Sequence, residues 1–222
     1  MKKAYNRICY ALSGIIIFIA AILIINYKPV SGNQASREEE PAALIKTDVL
    51  YSVIRDGDII CRLGDRFWSG LIRDVSITDK RFSHMGIIRI NDSRITVINS
   101  EGDTGHGRDF VNEVSIEEFL RPAVTAGIYR INAFDGALLS ELSIEYLGIP
   151  FDWKFDMYDA SKLYCTELLY VICKRIMPEL ELETAYIKEL KMNAVPLEAI
   201  SNSSNFTEIF FVSAENKKLT LK

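Results

Sequence analysis

The sequence predicts an α+β domain that follows a single apolar amino-terminal segment. Three observations predict it: strand-like apolar runs are joined by hairpin turns, helical patterns are grouped separately from them, and one uncharged stretch stands apart at the start. The chain has 222 residues, 49% hydrophobic and 25% charged, the composition of one compact domain rather than of a disordered or multi-span protein. Residues 1–30 hold Lys2, Lys3, Arg7 and Lys28 and no acid, which leaves 22 bases against 30 acids in the remainder. A part that acidic repels phosphate, so nucleic acid is not an expected partner.

From Ile8 to Tyr27 no charged residue occurs. At about 1.5 Å per helical residue this stretch matches the roughly 30 Å hydrocarbon thickness of a bilayer. Three bases precede it, so the positive-inside bias leaves the amino terminus in the cytoplasm and exports the remainder of the chain. The expectation is a signal anchor over residues 1–30, with cleavage near Val30-Ser31-Gly32 and a secreted form as the alternative. Residues 31–45 read as a polar linker, and residues 46–222 as the folded domain.

Within the domain, Ala43 to Val53 reads as a short helix, and Asp56-Gly57-Asp58 as a turn into the strand Ile59 to Arg62. Arg66 to Ile77 places Trp68, Leu71, Ile72 and Val75 on one helical face. Met85 to Ile90, the turn Asn91-Asp92-Ser93 and Arg94 to Asn99 form a β-hairpin. A loop from Gly102 to Asp109, a helical turn at Ile116 to Leu120 and a strand at Gly127 to Ile131 come next. Ala137 to Leu147 is an amphipathic helix stopped by Gly148 and Pro150, and Leu163 to Met177 a more apolar one ended by Pro178. The strand Thr207 to Val212 closes the domain.

Past the anchor stand Cys61, Cys165 and Cys173, an odd number for an exported domain, with no CxxC pair and no zinc-type cluster. Cys165 and Cys173 lie too far apart along one helix to bridge. Cys173, in mid-helix, reads as packing. Cys165 stands in the first helical turn, where unpaired amides and the helix dipole stabilise a thiolate and lower its pKa. The same amides can hold an oxyanion. A nucleophilic thiol needs a base, and the chain has two histidines. His84 opens a strand, whereas His106 lies in the glycine-bearing loop and reads as a surface residue. Glu101, just past the partner strand of the hairpin, can lie beside the His84 ring and orient it.

Several motifs occur in one order: Asp56-Gly57-Asp58-Ile59-Ile60, Phe82-Ser83-His84-Met85-Gly86-Ile87-Ile88, Ile98-Asn99-Ser100-Glu101, Phe151-Asp152-Trp153 and Tyr164-Cys165-Thr166-Glu167-Leu168. In these the sequence resembles the permuted papain-like amidases of the YiiX and YebB type, a branch of the NlpC-like cysteine hydrolases. The likeness spans about residues 50 to 212, with His before Cys as the permuted branch has it. It implies a circularly permuted papain-like fold with an antiparallel sheet packed on helices. Cys165 would be nucleophile, His84 general base and later acid, and Glu101 orienter, with Tyr164 and Trp68 contacting substrate. Thr166 stands where relatives often carry Ser. The implied activity is hydrolysis of an amide in a cell-envelope peptide or acylated amine at a membrane, needing neither cofactor nor metal.

Three rivals remain. The same site can act on lipid esters or amides, since thiol acyl chemistry on related folds does so. A non-catalytic envelope-binding module keeps the fold without the activity. A metal hydrolase built on His84, Glu101, Asp103 and His106 has the right ligand types, but their spacing matches no metal motif.

Overall fold

The computed structural model describes residues 47–65, 67–102, 109–187, 192–213 and 220–221. The expected anchor and linker lie outside the described residues. Among the described residues no helix is long and apolar enough to cross a membrane.

The organising element is the hairpin of β2 (His84–Asn91) and β3 (Arg94–Glu101), turned through Asp92 at φ 53. Around it, β1 (Ile59–Gly64), β4 (Phe110–Ser115), β5 (Ala123–Ile131), β8 (Phe206–Ser213) and β9 (Thr220–Leu221) complete a seven-stranded sheet ordered β4-β3-β2-β1-β5-β8-β9. Every pairing in it is antiparallel. Two short strands, β6 (Ala185–Ile187) and β7 (Met192–Ala194), pair separately.

Both faces of the sheet are covered, which is why its central strands read as continuous apolar runs. On one face Cys61, Met85, Ile87 and Ile98 meet Leu168, Leu169 and Ile172 of helix α5 (Cys165–Ile176). On the other, Ile60, Ile88, Val97, Ile128 and Phe210 meet Leu50 of α1 (Thr47–Val53) and Ile116 and Phe119 of α3 (Ile116–Leu120). Helix α2 (Phe67–Val75) follows β1, α4 (Ala137–Ser143) follows β5, and α6 (Glu198–Ser201) precedes β8. The expected α+β class and antiparallel sheet are present.

Several boundaries differ from expectation. The helix expected over Ala137 to Leu147 ends at Ser143 and tightens to a 3₁₀ turn at Ile144–Tyr146, ahead of Gly148 at φ 86. Strand β4 has no counterpart in the sequence reading, because it is an edge strand in which only Val111 is buried. Strand β5 begins at Ala123, four residues early, since Ala-Val-Thr-Ala carries little strand signal of its own.

The Gly57-Asp58 opening is structural. Gly57, at φ 78, lies so close to the next segment that an added Cβ would sit 1.7 Å from the Gly136 carbonyl oxygen. Asp58, 2% exposed, takes the Arg130 guanidinium as a fork, with Nε to Oδ1 at 2.8 Å and Nη2 to Oδ2 at 2.7 Å. The contrast with Gly148, whose φ is also positive but whose Cβ would meet open space, gives a test. Gly57→Ala is expected to cost more than about 3 kcal/mol in urea unfolding, and Gly148→Ala only about 1–2 kcal/mol. Equal losses would contradict the close approach at Gly57.

Candidate active site

The start of α5 is fixed from three sides. Tyr164, extended at φ −97 and ψ 173, ends the incoming segment, and its N–H donates to Glu167 Oε2 at 3.4 Å. The Leu163 carbonyl accepts from Ser100 Oγ of β3 at 2.5 Å and from the Asp152 amide at 3.2 Å. Thr166 Oγ1 donates to the Val195 carbonyl at 2.6 Å, and the Val195 N–H donates to the Tyr164 hydroxyl at 3.0 Å. Cys165 is therefore the first helical residue and is held against β3.

The hairpin leaves an opening at this point. Its ladder runs from Asn91↔Arg94 only as far as Ile87↔Ile98, short of His84 on one strand and Glu101 on the other. Gly86 lies under Val97 and Asn99, where a Cβ would be 2.4 Å from Val97 Cγ1 and 3.1 Å from Asn99 Cβ. The half-buried thiol of Cys165 receives the amide of Met85, the residue after His84, together with the Thr166 amide and its own. The structure thus holds Cys165 beside Met85, the residue that follows the expected base His84.

The imidazole of His84 is held by Asn99, with Nε2 to Oδ1 at 2.9 Å. Asn99 Nδ2 donates to Asn112 Oδ1 at 3.2 Å, and Asn112 Nδ2 donates to the Phe110 carbonyl at 3.1 Å. A backbone carbonyl only accepts, so this relay has one direction and assigns both amides. Asn99 Oδ1 must accept, which places the proton on His84 Nε2 and leaves the lone pair on Nδ1. Phe119 stacks on the ring, centroids 5.5 Å apart at 28°.

The expected orienter Glu101 lies beside the ring, while the hydrogen bond of the imidazole goes to Asn99. The Glu101 Oε2 is 4.0 Å from His84 Nε2, and its Oε1 takes Arg62 Nη2 at 2.5 Å. Arg62 is buried, donates also to the Phe119 carbonyl at 2.9 Å, and lies 4.7 Å from that ring's centroid. Residues 99 and 101 share one face of β3, so strand periodicity cannot choose between them. Space decides, because Gly86 lets Asn99 close on the ring. The polar Asn99 inside a buried strand is the signal in the sequence that points to it.

Tyr164, expected to contact substrate, is 2% exposed, and its ring lies among Phe151, Ile187 and Ala194. Trp68 stands on α2, and its side chain is outside what the structure describes. Asp103 and His106 lie outside the described residues. Among those described, no group of three His, Cys, Asp or Glu side chains is placed to hold a metal ion. Cys61, Cys165 and Cys173 are all free thiols, and Cys173 is core, as expected.

Burial governs the charge states. It pushes the Cys165 thiol up to about 11, over the opposing pull of the three amides, and the Glu101 carboxylate adds to the rise. The expected lowering by the helix terminus is therefore present but outweighed. Burial likewise takes His84 down to about 4, against the Glu101 carboxylate and the Asn99 hydrogen bond, with Arg62 reinforcing the drop. At neutral pH the site holds a neutral thiol and a neutral imidazole. Glu167, buried behind them, is raised to about 7 by desolvation and by Asp152, Asp156 and Asp159.

No family model matches the chain, and no curated protein does. Among solved structures it is similar to the crystal structure of the metalloprotein YiiX from Escherichia coli O157:H7, with a TM-score of 0.58 and 16% identity over 71% of this chain and 97% of that one. The likeness is one of fold, and it is to the YiiX type that the sequence motifs resemble.

The depressed His84 pKa has a defined stability signature. The unfolded chain takes up a proton near pH 6.5 that the folded chain refuses until about pH 4, so this group's contribution to stability falls as pH drops through that window. His84 should titrate near 4 by NMR, and wild type should lose more stability between pH 6.5 and 4 than His84→Gln, which cannot titrate. A midpoint above 6, or parallel pH profiles, would contradict a buried neutral ring.

Proposed function

We propose that the protein is a cysteine hydrolase that cuts an amide bond through an acyl-thiol intermediate on Cys165. The observation that carries this reading is the thiol at the start of α5, against the Met85 amide beside His84, whose Nε2 is committed to Asn99. That commitment leaves Nδ1 as the basic nitrogen. A half-buried pair with neutral groups calls for proton transfer during attack rather than a standing thiolate.

In the proposed reaction, the Cys165 sulfur attacks the substrate carbonyl carbon while His84 Nδ1 takes the thiol proton. The carbonyl oxygen becomes an oxyanion and accepts from the Cys165 N–H and a neighbouring amide. The C–N bond then breaks, with the nitrogen taking the proton from Nδ1, and the acyl group stays on sulfur. Water, deprotonated by Nδ1, adds to the thioester and releases the acid and the free thiol. Asn99 holds the ring, and the Glu101 carboxylate, fixed by Arg62, stabilises the imidazolium formed in each half-reaction.

YiiX is described as a metalloprotein. The described residues of this chain do not fit a metal site, so no step is routed through one. The uncharged Ile8–Tyr27 stretch supports placing the domain at a membrane, which favours an envelope peptide or acylated amine as substrate.

The test is incubation of the protein with cell-wall peptides and acyl-lipid mixtures, with products read by mass spectrometry. Cys165→Ala and His84→Ala should each lower turnover by more than about 1,000-fold, and Asn99→Ala by about 10- to 100-fold. Cys173→Ala should keep most of it. Full activity in Cys165→Ala would end the proposal.

A further inference from the structure

Asn99 is 1% exposed, and the amide that ends its side chain is a group that packing alone cannot orient. Its oxygen and nitrogen are close to the same size, so the space beside Gly86 accepts the amide either way round and hydrogen bonds must choose. The two choices have opposite chemical results. With Oδ1 on the imidazole, His84 Nε2 carries the proton and Nδ1 keeps its lone pair. With Nδ2 in that place, Nε2 would have to accept and Nδ1 would carry the proton, leaving the proposed base unable to take another.

The choice is made on the far side of Asn99. Asn112 stands directly across from it in the β3–β4 register, and its Oδ1 accepts Asn99 Nδ2 at 3.2 Å. Asn112 Nδ2 in turn donates at 3.1 Å to the carbonyl of Phe110 on its own strand. That carbonyl cannot reverse its role, so it fixes Asn112, Asn112 fixes Asn99, and Asn99 fixes the ring. Turning Asn112 round would set its Oδ1 against the Phe110 oxygen, two acceptors with no proton between them. Among the described residues no other group bonds either side-chain amide. Asparagine is depleted in strands, and two of them opposed across β3 and β4 add no apolar contact, so the pair is explained by its polarity.

We infer that Asn112 is a positioning residue that acts through Asn99 to keep the His84 proton on Nε2 and Nδ1 free for the proton of the Cys165 thiol. The inference rests on the thiol reading above and adds to it a residue that does not touch the imidazole. What Asn112 supplies is an acceptor of fixed direction. A leucine in its place fills nearly the same volume and accepts nothing, so Asn99 gains a second orientation and the ring a second tautomer. An aspartate of the same shape still accepts from Asn99 Nδ2 and keeps the first orientation. Because Asn112 is half-buried on the edge strand β4, these changes leave the core of the sheet in place.

Nitrogen NMR of the protein carrying isotope-labelled histidine reads the two ring nitrogens separately and requires no turnover. The chain has two histidines, so the signals that vanish in His84→Gln belong to His84. At neutral pH the wild-type ring should carry its proton on Nε2, with Nδ1 bare. Asn112→Leu should lower the ratio of the Nε2-protonated to the Nδ1-protonated ring by about fivefold, the weight of one net side-chain hydrogen bond. Asn112→Asp should restore most of that ratio, and Asn112→Ala should shift it in the same direction as Asn112→Leu, which keeps the test open if the leucine variant does not fold. A wild-type ring protonated on Nδ1, a ratio unmoved in the leucine and alanine variants, or an aspartate variant that behaves like them would overturn the inference. The thiol reading fails separately, through full turnover in Cys165→Ala while the ring is protonated on Nε2.

Discussion

The first turn of α5 is seated where the β2–β3 ladder stops, and the rest of the site depends on that contact. Ser100 Oγ on β3 holds the Leu163 carbonyl, and the Met85 amide on β2 is turned to the Cys165 sulfur. An amide freed from its ladder and buried must find an acceptor, and the sulfur supplies one. At Gly86 an added Cβ would press on Val97 Cγ1 and Asn99 Cβ, so the missing side chain lets Asn99 close on the strand next to His84. Thr166 and Tyr164, bonded to Val195, prevent the helix from sliding along the sheet.

Electrostatics at this contact favour uncharged partners. Three amides aimed at the sulfur support a thiolate, but the loss of solvation outweighs them, and the imidazole loses its proton for the same reason. Arg62 and Glu101 form a charge pair, both members of which act on the ring, and the Glu101 carboxylate acts on the thiol as well. A carboxylate 4.0 Å from Nε2 contributes most when the ring is cationic, a state that the proposed reaction reaches only during turnover. The arrangement suits stabilisation of a charge that develops over one present at rest. Behind it, Glu167 accepts the Tyr164 N–H and shares its surroundings with Asp152, Asp156 and Asp159, which links the protonation of the helix cap to the segment bearing Trp153.

Much of this is legible in the sequence because it is carried by pattern. The apolar runs of β1, β2 and β3, the Gly57 turn and the Cys165 start of a helix follow from local chemistry. The α+β class follows from the hairpins. The parts that pattern does not carry are those set by tertiary neighbours. Strand β4 has one buried residue and gains its identity by pairing with β3, and the helix after β5 shortens because Gly148 must turn the chain toward Pro150. At the site, periodicity places Asn99 and Glu101 on one face but cannot rank them. Tyr164 beside a nucleophile suggests a substrate contact, and its burial is set by tertiary neighbours. The pKa of Cys165 moves opposite to the sequence expectation, since a helix terminus is visible in a sequence and the desolvation that opposes it is not.

The central claim is that acyl groups pass through Cys165 with His84 as the base. Rapid quenching of the protein during reaction with an activated acyl ester, followed by peptide mapping in a mass spectrometer, tests it most directly. The account predicts a transient acyl mass on Cys165 alone, formed much more slowly in His84→Ala. Acylation of Cys61 or Cys173 instead, or hydrolysis of the ester with Cys165 never acylated, would contradict it.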